Sequence, residues 1–269
     1  MEEMMGTRIN KYLSEAGVCS RREADRLVDS GDVFVGDRMA EKGTRVLPGQ
    51  KVYVKGNLVN TEDQNIILLV NKAKGIVCTT AKDEINNIVD YVNFPVRVYP
   101  VGRLDKDSRG LILMTNQGDL VNKMMRAGNY HEKEYVVRVD KEVTEEFIQK
   151  MSKGIFLREL NQKTRPCKVK KLSYDTFKII LTQGLNRQIR RMSEACGYRV
   201  RDLRRVRIMN LTLDGIPEGQ YREIKPEEYK ELMKLLKHST SAPRKSSGNA
   251  YRKPSRNASG KKSKQRSGR

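Results

Sequence analysis

Two aspartates, two arginines and a lysine are crowded into Gly102-Arg103-Leu104-Asp105-Lys106-Asp107-Ser108-Arg109-Gly110. Val96 to Val101, apolar at alternate positions, predicts a strand before this stretch, and Leu111 to Met114 is an apolar run of buried-strand length after it. Gly110 lets the chain turn sharply between them. A charged loop between strands is ordinarily a solvent-facing hairpin. Arg103 and Asp105, however, stand at i and i+2 and share one face if the strand continues that far. A carboxylate beside a guanidinium at a strand end is suited to act as a nucleophile, because its neighbour keeps it ionised. With only His131 and His238 in 269 residues, histidine-driven acid–base chemistry and a His-rich metal site have few candidates. Catalysis would rest on carboxylate, tyrosine and arginine.

The elements that must position such a loop read as an α+β domain with a mostly antiparallel sheet, because strands outnumber helices and arrive in hairpin-like pairs. Ile66 to Val70 and Ile76 to Thr80 predict two strands around the turn Asn71 to Gly75. A helix follows Thr115-Asn116, carrying Leu120, Val121, Met124 and Met125. Glu132 to Val139 alternates as a strand, Thr144 caps a helix that runs to Gly154, and Phe177 to Leu181 is a strand leading into the helix Arg187 to Cys196. Arg204 to Leu213 predicts a last strand.

Thr7 to Asn60 reads as a small unit of its own. Ile9, Tyr12, Leu13 and Ala16 recur at helical spacing, Ser20-Arg21-Arg22-Glu23 is a capping box opening a second helix, and Val33 to Val35 and Gln50 to Val54 are short strands. Lys11, Arg21, Arg22 and Arg26 cluster on the two helices. The arginines open a helix whose N-terminal amides also attract phosphate, so these four are candidates for contacts to an RNA backbone.

The charge points the same way. Lys and Arg total 54 against 33 Asp and Glu, a net +21, which favours a polyanionic partner, nucleic acid before a membrane surface. From Ser239 to Arg269 there are ten Lys or Arg and no acid. That tail is too polar to bury itself and is expected to be a disordered RNA-binding arm. The divisions expected are 1–60, 61–238 and 239–269, with the polar Leu58 to Asn65 as linker. No apolar run is long enough to span a membrane and Met1-Glu2-Glu3 is acidic where a signal peptide would be basic, so a cytoplasmic protein is expected. Cys19, Cys78, Cys167 and Cys196 lie far apart without a C-x-x-C pair, which suggests reduced thiols and neither a zinc knuckle nor a disulfide framework. No G-x-G-x-x-G or Walker loop is present, so no nucleotide cofactor is expected.

Several segments resemble known families. Asn10 to Gly17, Ser20 to Ala24 and Gly31 to Val35 resemble the S4-like RNA-binding domain. Gly102-Arg103-Leu104-Asp105 with Gly110-Leu111 and Thr115-Asn116, Lys133-Glu134-Tyr135, and Gly184-Leu185-Asn186-Arg187-Gln188-Ile189-Arg190 resemble, in order, the three motifs of RNA pseudouridine synthases. Together they place the chain near the RsuA/RluB/RluE/RluF family of bacterial rRNA enzymes, most like its F type. The resemblance implies conversion of uridine to its C-glycoside without metal or cofactor. It implies Asp105 as the essential carboxylate, acting by addition to C1′, addition to the base or removal of the 2′ proton. Arg190 would pair with Asp105 in a water-excluding cleft, and Tyr135 would stack on the uracil and accept the C5 proton. Arg103 would fill the space of the flipped base, Leu185 would form an apolar wall, and Arg187 would join the RNA contacts. The implied substrate is a 23S rRNA stem-loop near the peptidyl-transferase centre, with a tRNA anticodon uridine as a second candidate; a monomer is the default expectation, since oligomeric state is not legible in the residues. The alternative is a non-catalytic S4-domain assembly factor, which would gain nothing from a carboxylate at Asp105.

Overall fold

In the computed structural model, which describes residues 6–60, 65–81 and 83–240, a small N-terminal unit leads into one large mixed sheet. Ile9–Glu15 and Arg21–Asp29 are the two expected helices. Ser20 caps the second, its hydroxyl accepting from the Glu23 amide at 3.2 Å. Ile9, Leu13, Ala24 and Val28 from the helices pack on Val33, Val46 and Val52 from short strands. No described residue beyond Val59 joins this core.

From edge to edge the large sheet runs Lys168–Lys171, Thr176–Leu181, Lys133–Val139, Val200–Ile208, Arg109–Thr115, Ile67–Lys72 and Tyr221–Glu223. Leu211–Thr212 folds back on Val200–Ile208, and Tyr99–Pro100 pairs with Arg109–Thr115. Every pairing is antiparallel except the central one, between Arg109–Thr115 and Val200–Ile208. The α+β, mostly antiparallel architecture is therefore as expected.

The two inner strands Ile67–Lys72 and Arg109–Thr115 are apolar over Ile67 to Val70 and Leu111 to Met114, and alternation sorts these side chains between two cores. Leu68, Val70, Ile112 and Met114 face the helices Glu145–Ser152 and Gln188–Ala195, which contribute Phe147, Met151, Ile189 and Met192. Ile67, Leu69, Leu111 and Leu113 face Gly118–Met125 and Pro226–Leu236, which contribute Leu120, Met124, Leu232 and Leu236. Each of these side chains, removed from water, stabilises the fold by about 1.5–3 kcal/mol before entropy is subtracted. No described helix is long and apolar enough to cross a membrane.

The structure departs from expectation in several places. Of Val96 to Val101 only Tyr99–Pro100 is strand, with the Val101 amide still donating to the Leu113 carbonyl at 2.8 Å. Ile76 to Thr80 is not a strand; only Val77 makes an isolated bridge, to Asn87. The turn before it instead wraps the buried Lys72, whose ammonium donates to the carbonyls of Ala73 and Ile76 at 2.8 and 2.9 Å. The last expected strand is Val200–Ile208, beginning earlier and ending in a hairpin. Pro226–Leu236 is a helix without a counterpart in the expected elements, although Pro226 and the acids Glu227 and Glu228 in its first turn are a helix start. Ser239 and Thr240, placed by sequence in the tail, hydrogen-bond to His131 and Asn129. The rest of the tail, and residues 61–64 of the linker, lie outside the described residues.

An ionic clamp closes the central parallel pair. Arg109 donates Nε and Nη2 to Asp202 at 2.9 to 3.2 Å, and Lys74 Nζ lies 2.6 Å from the same carboxylate. Burial pushes the Asp202 carboxyl up, but hydrogen bonds from Arg109 and then Lys74 outweigh it and hold it at about 2. A carboxyl depressed in the folded state stabilises above its unfolded value near 4 and loses that contribution as pH falls towards its folded one. Asp202→Asn should therefore lower stability at pH 7 by about 1–2 kcal/mol. Urea denaturation of parent and variant should show the gap closing between about pH 4 and about pH 2.

Candidate active site

Three segments meet at one end of the sheet and enclose a pocket of about 350 Å³. The loop entering Arg109–Thr115 brings Arg103 and Asp105, the strand Lys133–Val139 brings Tyr135, and the turn before the helix Gln188–Ala195 and that helix bring Leu185, Arg187 and Arg190. The structure thus gathers into one cavity every catalytic-site candidate that the sequence distributes over some ninety residues.

The loop carrying Asp105 is held open rather than extended, so Arg103 and Asp105 do not share a strand face. Leu104, between them, is buried, and its amide donates to the Cys78 sulfur at 3.4 Å. Arg103 is exposed at the rim. The Asp105 side chain is 34% exposed and faces Arg187, whose Nη1 is 3.9 Å from one carboxylate oxygen and 3.7 Å from Asp107. Arg187 takes the left-handed conformation, φ +49, at the N-cap of its helix, which aims its side chain across the mouth.

The direct ion pair expected between Arg190 and Asp105 is not made. Arg190 sits in the first turn of the helix, buried to 9% exposure, and reaches the far end of the loop instead. Its Nη2 donates to the Asp107 carbonyl at 3.1 Å and to the Ser108 hydroxyl at 3.3 Å. Its Nε has no described partner. The guanidinium therefore fixes the backbone that presents Asp105. Tyr135 is 8% exposed, its ring forming part of the apolar wall with Leu181 and Leu203. Leu185 is held by its amide, which donates to the Gln188 side chain at 3.0 Å.

On the N-terminal unit, Arg21, Arg22 and Arg26 are exposed and enter no ion pair among the described residues, a surface free to meet phosphate. Lys11 does not belong with them. Its ammonium lies 2.6 Å from Asp119 on the helix Gly118–Met125 and 3.7 Å from Glu15, so two carboxylates of the chain already hold it. The pocket also contains two residues to which the sequence motifs assign no role, Lys133 and Arg205. Lys133 had a signal, since it lies two residues before Tyr135 on a strand. Arg205 had none, because an arginine within an arginine-rich strand looks solvent-facing.

Residues 66–195 match the family model described as RNA pseudouridylate synthase, and residues 7–52 match that of the S4 domain. The chain is 53% identical over 236 residues to the dual-specificity RNA pseudouridine synthase RluF of Escherichia coli (strain K12), covering 87% of this chain and 81% of that protein. It is 37% identical over 244 residues to the ribosomal large subunit pseudouridine synthase B of Bacillus subtilis (strain 168), covering 87% and 99%. A crystal structure of a pseudouridylate synthase superposes with a TM-score of 0.62 at 26% identity, covering 84% of this chain and 100% of that one.

The two arginines of the helix entrance differ in a measurable way. Arg190→Ala should lower stability by about 1.5–3 kcal/mol, because it removes a buried charged donor from two acceptors. Arg187→Ala, at a 41% exposed side chain with only long ion pairs, should stay within about 0.5 kcal/mol of the parent. Denaturant midpoints of the two variants test this order.

Proposed function

The chain belongs to the RNA pseudouridylate synthase family, and on that premise we propose how its pocket works and which RNA it takes. It is an enzyme that isomerises uridine in RNA to pseudouridine. The observation that carries the site assignment is the convergence of Asp105, Tyr135, Leu185, Arg187, Arg190 and Arg103 on one cavity. Asp105 is the essential carboxylate, aimed into the pocket by a loop that Arg190 ties down. Tyr135 stacks on the uracil and is placed to take up the C5 proton. Leu185 and its apolar neighbours exclude water around the base, and Arg103, at the rim, fills the gap left in the stem when the nucleotide flips out.

The target is a uridine in a stem-loop of large-subunit ribosomal RNA, with a tRNA anticodon uridine as second substrate. The likeness to a dual-specificity enzyme and to a large-subunit one supports this reading. Residues 1–60 form the docking unit, whose exposed Arg21, Arg22 and Arg26 contact phosphates. Residues 61–238 form the catalytic unit, and the basic 239–269 adds non-specific affinity. We take the protein to act as a monomer in the cytoplasm.

Asp105→Asn should bind RNA and fold like the parent, while release of tritium from [5-³H]uridine-labelled RNA falls by about a thousandfold or more. Asp107→Asn, whose carboxylate is more exposed and more remote, should keep substantial activity. Tritium release by Asp105→Asn at near the parental rate would overturn the assignment, and RNA binding without release by the parent would make the chain a binding factor instead.

Arg21→Ala with Arg22→Ala should weaken RNA binding and flatten the dependence of log K on log salt by about 0.7 to 0.9 for each phosphate no longer neutralised. The rate with RNA saturating should be unchanged. An unaltered slope would remove these arginines from the interface.

A further inference from the structure

Two cations inside the pocket have no task among the roles given to Asp105, Tyr135 and the three arginines. Lys133 precedes Tyr135 by two residues on one strand and shares its face, and Arg205 stands opposite Tyr135 in the register of the next strand. Both line the cavity and both are shut off from solvent, 6% and 1% exposed. Among the described residues neither enters an ion pair, whereas Arg207, two residues along but turned to the other face by a bulge at this point of the register, is held by Glu132 and Glu134 at 2.9 Å each. Lys133 Nζ reaches only the His131 carbonyl, at 3.5 Å. Arg205 gives Nε to the Leu111 carbonyl at 2.6 Å and leaves Nη2 without a described partner. Buried cations without a counter-charge are costly, so their position beside the substrate site points to an anion that forms there.

The reaction supplies one. When the N1–C1′ bond breaks, its electron pair stays with the base, and Asp105 meets the deficit left at the sugar. The base carries negative charge spread over N1 and its carbonyl oxygens. It turns, C5 gives an electron pair to C1′ to form the new bond, the C5 proton departs, and N1 gains a proton. No atom is gained or lost. We propose that Lys133, backed by Arg205, binds the detached uracil as its anion and holds it while it turns from N1 to C5. The proposal rests on the pseudouridine synthase reading of this site.

The depth of the pair favours the base over a phosphate of the same nucleotide. Lys133 and Arg205 lie on the strands that form the cavity floor beside the Tyr135 ring, whereas the exposed Arg103 and the 41% exposed Arg187 stand at the mouth, where a backbone phosphate would pass. Burial and, second, Arg205 push the Lys133 ammonium down to about 8, and an adjacent anion is what would hold its proton in place. In a site closed to water such a contact acts only when charge has developed, which raises the rate without tightening binding.

The test compares the parent with Lys133→Met, and with Lys133→Gln, whose amide can still meet the His131 carbonyl if the apolar replacement fails to fold. Each folded variant should bind target RNA as the parent does yet release tritium about a hundredfold more slowly in single turnover. Fluorine at C5 makes the departing base a weaker base, so with 5-fluorouridine at the target the deficit in N1–C1′ cleavage should shrink to about tenfold or less. Cleavage is followed by nuclease digestion and chromatography. A rate within about threefold of the parent, equal deficits on the two substrates, or weaker binding with an unchanged bound rate would each overturn the proposal. An inactive parent would overturn the synthase reading itself. An active parent, a dead Asp105→Asn and unimpaired Lys133 variants would remove only the role of Lys133.

Discussion

At the centre of the sheet, where Arg109–Thr115 and Val200–Ile208 run side by side in the same direction, Gly110 faces Arg205. The glycine has φ +103, and a β-carbon on it would collide with the Arg205 carbonyl oxygen and stand 2.9 Å from its nitrogen. Only a residue without a side chain lets the two backbones approach this closely. The approach brings the loop bearing Asp105 over the strand bearing Arg205. It also lets the Arg205 guanidinium reach back to the Leu111 carbonyl, at 2.6 Å, beneath the pocket. Tyr135 and Lys133 follow on the far side of that strand. The cavity floor, the loop that carries Asp105 and the buried charges all meet at this one crossing.

The distribution of counter-charges separates scaffold from site. Arg109 is saturated by Asp202, Arg207 by Glu132 and Glu134, and Arg222 by Glu228 in a two-pronged pair at 2.6 and 2.7 Å. These arginines fasten strand to strand or strand to helix. Around the pocket the pattern reverses: Arg190, Lys133 and Arg205 are buried on backbone oxygens, and Asp105 is approached by a guanidinium no nearer than 3.9 Å. A net +21 is therefore more than a general attraction to polyanions, because part of it is withheld from internal neutralisation where the substrate arrives.

Much of this was legible in the residues, and the failures have physical causes. The buried strands Ile67–Lys72 and Arg109–Thr115, the helices with clear caps and the three site segments were visible because periodicity and turn residues agree locally. What misled was long-range geometry. The Arg190–Asp105 pair was expected because opposite charges attract, but a helix fixes where a side chain can reach, and there the loop's own oxygens are nearer. Lys11 looked like a phosphate ligand on its helix face, and nothing local announces Asp119 more than a hundred residues away. Ile76 to Thr80 had strand composition, but the turn that leads into it closes on the Lys72 ammonium, which donates to the Ala73 and Ile76 carbonyls. Arg205 could not be singled out, because the parallel crossing that buries it leaves no trace in its neighbours.

The Lys11 contact has a consequence for how a substrate is chosen. Its ammonium joins the first helix of the N-terminal unit to the helix Gly118–Met125, and Gly118 packs there, its β-carbon position 3.7 Å from Glu15 Oε1. On the proposed roles, the contact links the unit that carries Arg21, Arg22 and Arg26 to the unit that carries the cavity, like the two points of a calliper. An RNA whose gripped phosphate and target uridine match that span engages both at once, and the second contact is made at high effective concentration. A uridine in the same local sequence on a stem of the wrong length can satisfy one point only. On the proposed roles, discrimination among uridines would fall to the shape of the folded RNA, with little need to read the letters around the target.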